Sequence, residues 1–145
     1  MAQNRKNSGE PQAGAIYAAE TQGVRVTAQP RFLEADSEPG QDRYVWAYAI
    51  EIVNLSGQTL RLVTRRWTII DGHGRTHEVR GEGVVGQQPV LRPGESFSYT
   101  SGCPLATPHG SMQGAYAMQD ERGEALEIAV PLFPLDSPYV KKVLH

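Results

Sequence analysis

Apolar and polar residues alternate without a break at the start of the central part of the chain. The apolar set on one face consists of Tyr44, Trp46, Tyr48, Ile50 and Ile52. A period of two is typical of a β-strand with one buried face, because successive side chains of a strand point to opposite sides. The pattern therefore predicts the first arm of a long hairpin that runs from Tyr44 to His77, around which the rest of the chain is organised.

The second arm of the predicted hairpin contains a change of phase. Its apolar positions are first Leu60 and Leu62, and then Trp67 and Ile69. One extra residue between the two sets would account for the change, so we predict a β-bulge or bend near residues 64–66. Two glycines within residues 71–74 then predict a tight turn, since glycine accepts positive φ.

Other short alternating segments precede and follow this hairpin, and no convincing helix separates them. We predict strands within 16–27, 96–103, 112–118 and 126–130, a turn-rich connection at 34–43, and a loop around at most a very short strand at 81–94. Such a series predicts an all-β fold, an antiparallel β-sandwich that forms a single domain. We expect a flexible N-terminal tail at 1–14, the domain at 15–138 and a C-terminal tail at 139–145.

Three prolines occupy the segment 131–138 that follows the last predicted strand. Proline has no N–H to donate, so we expect that this segment does not extend a ladder. Its apolar residues Leu132, Phe133 and Leu135 are instead predicted to pack across an open end of the sandwich.

Charge and composition exclude several classes of function. The formal net charge is -2 with mixed signs, so no general basic field attracts nucleic acid or acidic lipid. Arg61, Arg65 and Arg66 form one basic cluster beside Trp67. We interpret Trp67 as a core residue and the arginines as the rim of an edge, and we do not expect nucleic acid as a partner.

The start of the chain and its cysteine content indicate the compartment. Polar residues follow Met1 where a signal peptide would be apolar, and no apolar run approaches the ~20 residues that cross a bilayer. Cys103 is the only cysteine, which excludes an internal disulfide and fits a reducing environment. We therefore expect a cytoplasmic protein without a membrane partner.

A set of segments and single residues has a characteristic order along the chain: 44–48, 66–74, 78–86, 99–105, 110–112 and 133–135, with Pro89, Leu91, Pro93, Gly94, Gly114 and Tyr116. In these features the chain resembles the ApaG family over roughly residues 15–138. The resemblance implies a fold similar to fibronectin type III and other immunoglobulin-like sandwiches. It also implies a non-enzymatic domain that binds another protein, because such domains end unrelated eukaryotic chains, and its name implies a link to cobalt and magnesium homeostasis.

A glycine motif offers an alternative function. Gly81, Gly83 and Gly86 have the spacing of the dinucleotide fingerprint, but two prolines follow where that fingerprint requires a helix. The glycines either shape a tight loop or form an anion cup from backbone N–H groups, helped by Arg80, Arg92 or Arg75. In the second case, residues 80–86 hold a phosphate or nucleotide, with or without magnesium. The candidate anion-binding residues are Arg80, Gly81, Gly83, Gly86 and Arg92.

No catalytic group and no metal site can be assembled from the sequence. Ser96 lacks the second glycine of a nucleophile elbow, and Cys103 is predicted to be a small buried hydrophobe with His109 as an unsupported partner. The spacing of four between His73 and His77 does not place them side by side at a turn. We therefore predict no catalytic residue, no metal ligand and no cofactor.

Overall fold

Nine β-strands form two antiparallel sheets in the computed structural model, which describes residues 15–139. The strands are β1 Tyr17–Thr21, β2 Val24–Phe32, β3 Tyr44–Asn54, β4 Leu60–Asp71, β5 Thr76–Glu82, β6 Val90–Leu91, β7 Ser96–Leu105, β8 Gly110–Gln119 and β9 Ala125–Leu135. The first sheet has the order β1-β2-β3-β7, and the second has the order β5-β4-β8-β9 with β6 beside β4. This arrangement confirms the predicted all-β sandwich.

The core lies between the two sheets, where the alternating apolar residues of both sheets meet. All five apolar residues predicted for the inner face of β3 are buried, from Tyr44 to Ile52. The ring of Tyr48 lies 5.3 Å from that of Trp67, and Trp67 lies 6.1 Å from Phe133. Edge-to-face aromatic pairs stabilise by about 0.5–1.5 kcal/mol each beyond the burial of their area.

The long hairpin predicted from Tyr44 to His77 is wrong, because β3 and β4 lie in different sheets. Their connection is a corner held by Asn54, whose side-chain amide donates to the carbonyl oxygens of Gln58 and Leu91 at 2.8 Å each. Alternation identifies the buried face of each strand. It does not distinguish two strands paired in one sheet from two strands that face each other across a sandwich.

The predicted β-bulge in β4 is confirmed, although it begins slightly earlier than expected. The register of β4 with β8 shifts between Leu62 and Thr64. Because of the extra residue, Leu62 and Trp67 both point into the core.

The prediction that residues 131–138 cannot extend a ladder is wrong. β9 continues to Leu135, and Pro134 lies opposite Ser111. β9 is an edge strand, so a proline can be accommodated there without removing a bond to a second neighbour. Phe133 and Leu135 are fully buried between the sheets, whereas Leu132 is 59% exposed.

The boundaries of two other predicted segments also change. Arg80, Gly81 and Glu82 belong to β5 rather than to the loop that follows it. The tail predicted at 1–14 and residues 140–145 lie outside the described residues. Tyr139, assigned by sequence to the C-terminal tail, has its ring 5.9 Å from Phe32 and 6.2 Å from Tyr44.

The sandwich is closed along one side and open along the other. On the closed side, β1 and β2 approach β9 with Cα atoms within 8 Å, and the N–H of Ala129 donates to the Thr21 hydroxyl at 3.2 Å. On the opposite side, β5 and β7 are the outermost strands, and neither pairs with a further strand of the described chain. Both therefore present a free backbone edge on the open side.

Candidate functional site

The two free edges on the open side differ in charge. β5 carries His77, Glu78, Arg80 and Glu82 among seven residues, whereas β7 carries no charged residue among ten. Charged side chains on an edge strand oppose the addition of another strand unless that strand carries complementary charges. β7 is therefore the long edge that lacks this protection.

The side chains of β7 are incompletely covered on both faces. Ser98 and Thr100 are exposed on the outer face, while Phe97, Tyr99 and Ser101 are only partly buried on the inner face. By contrast, the inner residues of β9 on the closed side are almost completely buried from Ile128 to Leu135. The inner face of β7 therefore leaves apolar and hydroxyl groups accessible beside a free backbone edge.

A hydroxyl cluster lies behind this edge, between the two sheets. The Tyr99 and Tyr116 hydroxyl oxygens are 2.6 Å apart, and Tyr48 makes a side-chain hydrogen bond with Ser101. Burial raises the pKa of all three tyrosines, while the positive charge of Arg65 acts in the opposite direction. These hydroxyls stay protonated at neutral pH, so none is a general base.

Arg65 faces the interior, contrary to the predicted position at the rim of an edge. It lies opposite Tyr116 in β8 and Gly81 in β5, and directly opposed residues of antiparallel strands share a face. Its Nη1 atom donates hydrogen bonds to the carbonyl oxygens of Glu82 at 3.0 Å and Gly83 at 2.9 Å. Arg65 thus fixes the end of β5 from inside the sandwich.

A groove of about 570 Å³ enters between the sheets at one end of the open side. Ile69 and His77 line it from the second sheet, and Pro104 and Leu105 line it from the end of β7. Its size falls in the range of small-ligand clefts, and its walls combine apolar side chains with a charged rim.

Asp71 is one of two carboxylates that line that groove, together with Asp42. Its Oδ1 atom accepts the N–H groups of His73 at 2.9 Å and Arg75 at 3.0 Å, and Oδ2 lies 3.5 Å from Nε2 of His77. Desolvation opposes ionisation, but these hydrogen bonds outweigh it and lower the pKa of Asp71. The carboxylate is therefore charged at neutral pH, and it orders the β4–β5 turn.

Each glycine of the motif is required either by a positive φ or by close packing that leaves no room for a Cβ atom. A Cβ atom on Gly81 would lie 2.8 Å from the Arg65 guanidinium, and one on Gly83 would lie 2.3 Å from the carbonyl oxygen of Gln87. Val85 and Gly86 have φ of 42° and 78°, the pattern of a type I′ turn between Val84 and Gln87. The motif is therefore accounted for without a ligand.

The backbone N–H groups of the predicted anion cup are partly occupied. Gly83 donates to the carbonyl oxygen of Val63 at 2.8 Å, and Val84 donates to that of Gln87 at 2.8 Å. Among residues 15–139, no acceptor is found for the N–H groups of Val85 and Gly86. Within residues 83–86, a cup would have only these two donors.

The arginines assigned to the cup do not converge. Arg80 lies opposite Arg66 in β4, while Leu91, next to Arg92, lies opposite Leu60. Six residues of β4 separate these positions, which corresponds to about 20 Å along the strand. Arg80 is also 3.6 Å from the Glu78 carboxylate. The sequence candidates Arg80 and Arg92 therefore belong to different parts of the sheet.

The groups considered for catalysis are structural or exposed. Cys103 is 4% exposed, and burial raises the pKa of its thiol to about 11. His109 lies beside Gly72 at the β4–β5 turn, where Thr107 accepts the N–H of Gly72 at 2.8 Å. Across residues 15–139, no three or more His, Cys, Asp or Glu side chains are grouped to hold a metal ion. That part of the chain also contains no helix that could span a bilayer.

The site features that the sequence reasoning missed are the free edge of β7 and its inner residues Phe97 and Tyr99. Alternation within the strand predicted at 96–103 turns both side chains inward. The absence of charge over ten consecutive residues of β7 is readable in the sequence and could have indicated an unprotected strand. That β7 lies at an edge can be recognised only from the strand order of the sheet.

Comparisons with known proteins identify related chains. A family model described as the ApaG domain matches residues 34–120. A protein from Methylorubrum populi named Protein ApaG is 56% identical over 130 residues, which cover 90% of this chain and 100% of that protein. Another of the same name, from Parvibaculum lavamentivorans, is 52% identical with the same coverage. The crystal structure of an ApaA protein from Bordetella pertussis superimposes with a TM-score of 0.77 at 46% identity, covering 79% of this chain and 94% of that one.

Proposed function

Because the chain belongs to the ApaG domain family, we propose that it is a non-enzymatic interaction module that binds an extended segment of another protein. The segment adds to the first sheet as a new strand beside β7. Its backbone pairs with the free edge, and its inward side chains enter the open side of the sandwich.

The observation that carries this proposal is the uncharged free edge of β7. Ten residues without a charge form an outermost strand that no described segment covers. In strand addition, main-chain hydrogen bonds supply affinity and pockets for alternate side chains supply specificity. β7 offers the backbone, and the groove at its end offers such a pocket.

The side chains along β7 define the kind of segment that fits. Phe97 and Tyr99 are partly buried on the inner face, so they favour apolar or aromatic residues at alternate positions of the partner. The groove near Pro104 and Leu105 also contains Arg43, Arg75 and the Asp71 carboxylate. We therefore expect a partner segment with alternating apolar residues and a polar residue where it reaches the groove.

The chemistry of the described residues supports a binding role over a catalytic one. The Cys103 thiol is buried and has a raised pKa, and the buried tyrosines are neutral at physiological pH. A nucleophile, a base and an orienting group in mutual contact would be needed for catalysis. The link to cobalt and magnesium homeostasis that the family resemblance implies would then act through the bound partner.

The proposal is tested by selecting extended peptides from a displayed library on the full chain and titrating a recovered peptide. Thr100→Lys places a charge on the outer face of the free edge and should weaken binding at least about tenfold, because an edge lysine opposes strand addition. The matched control is Ala49→Lys. Ala49 is exposed and lies directly opposite Thr100, but on β3, which is paired on both sides.

The two variants distinguish docking at the free edge of β7 from docking on the outer face of the sheet. Loss of binding with Thr100→Lys alone supports the free edge as the docking site. Equal loss with both variants would place the peptide on the outer face of the sheet and overturn the proposal, as would unchanged binding with both. Thermal unfolding of each variant confirms that it folds.

The second candidate function is phosphate binding at residues 80–86. It is favoured by Val85, a β-branched residue with positive φ, since such strain often accompanies function, and by the two unoccupied N–H groups of Val85 and Gly86. Amide NMR titration with pyrophosphate, ATP and diadenosine tetraphosphate, with and without magnesium, tests it. Saturable shifts confined to this loop would support the candidate, and a silent loop would exclude it.

A further inference from the structure

The free edge of β5 has a symmetry that the edge of β7 lacks. β5 is seven residues long, and Val79 is its central residue. Val79 is 40% exposed although it lies opposite the buried Trp67 and so points to the inner face. We propose that β5 pairs antiparallel with β5 of a second copy of this chain, about a two-fold axis at Val79, and joins the two β5-containing sheets into one.

Two-fold pairing about Val79 brings opposite charges together. It places Glu78 opposite Arg80 of the second copy, and Arg80 opposite Glu78 of the second copy. Both side chains lie on the outer face, with 53% and 70% of their surface exposed, and they are 3.6 Å apart within one chain. Oppositely charged residues directly across an antiparallel pair stabilise it by about 0.2–1 kcal/mol, and like charges destabilise it.

The other two-fold registers are less favourable. Centring the pair on Glu78 or on Arg80 sets that residue against the same residue of the second copy, so like charges meet. Centring it on Gly81 pairs Arg80 with Glu82 but brings only three residues of each strand together. Only the register at Val79 pairs all seven residues of β5 and avoids opposed like charges.

The inner face of β5 fits the same register. The two Val79 side chains meet at the axis, which removes an exposed apolar group from water. His77 lies opposite Gly81 of the second copy, where the Arg65 guanidinium occupies the space beside the glycine. The inner face therefore adds apolar contact at Val79 alone.

The size of the contact predicts a weak association. A pair of seven-residue strands buries less than the 1,200–2,000 Å² or so typical of stable specific interfaces. We therefore expect dissociation constants in the micromolar to millimolar range, as for transient assemblies. The inference does not depend on the proposed function, since it concerns β5 and a second copy instead of β7 and another protein.

Charge reversal tests the proposal by sedimentation analysis of the full chain at up to about 1 mM. The wild-type chain should form a dimer. Glu78→Arg and Arg80→Glu should each weaken association at least about tenfold, because each sets like charges opposite one another at two places. An equimolar mixture of the two variants should recover a dimer, since every charged pair is then complementary again.

The mixture also shows that the variants fold, because an unfolded chain would not recover association. Glu51→Arg is the matched control, as Glu51 is an exposed residue of β3, an interior strand, and its reversal should leave association unchanged. A wild-type chain that stays monomeric at the highest concentration would overturn the proposal. So would single variants that associate like wild type, or a mixture that does not recover.

Discussion

The hydroxyl oxygens of Tyr99 and Tyr116 lie 2.6 Å apart and connect the two sheets on the open side of the sandwich. Tyr99 belongs to β7 and is partly buried, whereas Tyr116 belongs to β8 and is fully buried. This hydrogen bond ties the proposed docking strand to the opposite sheet. Its two ends differ in access to water, so their removal should have unequal effects.

Removal of the Tyr99 hydroxyl should destabilise the protein more than removal of the Tyr116 hydroxyl. Tyr99→Phe leaves a buried hydroxyl on Tyr116 without a partner, which costs about 1–3 kcal/mol. Tyr116→Phe leaves the hydroxyl of Tyr99 without its partner, but on a side chain that is only partly buried, at about 0.5–1.5 kcal/mol. The double variant should lose less than the sum of the two, as measured by urea unfolding. Additive losses would contradict a direct hydrogen bond.

The thiol of Cys103 should be nearly inert in the folded protein. Burial raises its pKa from 9.0 to about 11, so at pH 8 its thiolate fraction is about 100-fold below that of an unperturbed thiol. The folded state holds the proton more tightly, so the contribution of Cys103 to stability is fully present below pH 9 and decreases as pH rises to about 11. Reaction with a thiol reagent in native buffer and in denaturant measures the difference. Rapid native labelling would contradict the buried site.

The glycine motif should respond unequally to alanine substitution. In Gly83→Ala the added Cβ atom would lie 2.3 Å from the carbonyl oxygen of Gln87, so the variant should lose roughly 3 kcal/mol or more of unfolding free energy. Gly81→Ala displaces the Arg65 guanidinium from two carbonyl oxygens, at about 1–3 kcal/mol. In Gly86→Ala the added Cβ atom would enter open space, so only the positive φ is unfavourable, and the loss of stability should be about 1–2 kcal/mol. Denaturant midpoints rank the three, and a larger effect at Gly86 would contradict this account.

The sequence pattern identified the buried faces better than it identified the neighbours of each strand. Alternation from Tyr44 to Ile52 predicted the inner face of β3, because the period of two is local. The assignment of β3 and β4 to different sheets depends on the corner at Asn54 and on long-range pairing, which local periodicity does not contain. The direction of Arg65 was missed for a related reason, since the bulge in β4 decides which face it occupies.

The candidate site could also be predicted only in part, because its local motifs are visible in the sequence but its long-range contacts are not. The glycines of the 81–86 motif were correctly separated from a dinucleotide fingerprint, because the prolines that follow exclude a helix. Their contacts with Arg65 and Gln87 come from strands distant in sequence. The lack of charge in β7 was visible in the sequence, but its meaning depends on a sheet order that leaves that strand outermost.

The Asp71 carboxylate should make the protein sensitive to acid. Because its pKa is lowered in the folded state, its contribution to stability is present above the ordinary value of 3.8 and is lost as pH falls below it. Asp71→Asn keeps an oxygen that can accept the N–H groups of His73 and Arg75 but removes the charge facing His77. The unfolding free energy of this variant should therefore depend less on pH below about 4 than that of wild type.

Asp120 provides the matched control for this prediction. Its Oδ1 atom accepts the N–H groups of Arg122 at 2.9 Å and Glu124 at 3.0 Å, the same arrangement as at Asp71, but in an exposed turn. Asp120→Asn makes the same chemical change at a turn outside the groove, so it is the reference against which the acid dependence of Asp71→Asn is compared. Urea unfolding at a series of pH values between 2 and 6 or so measures both variants. Equal changes would show that the turn geometry alone, without the groove around Asp71, sets the response to acid.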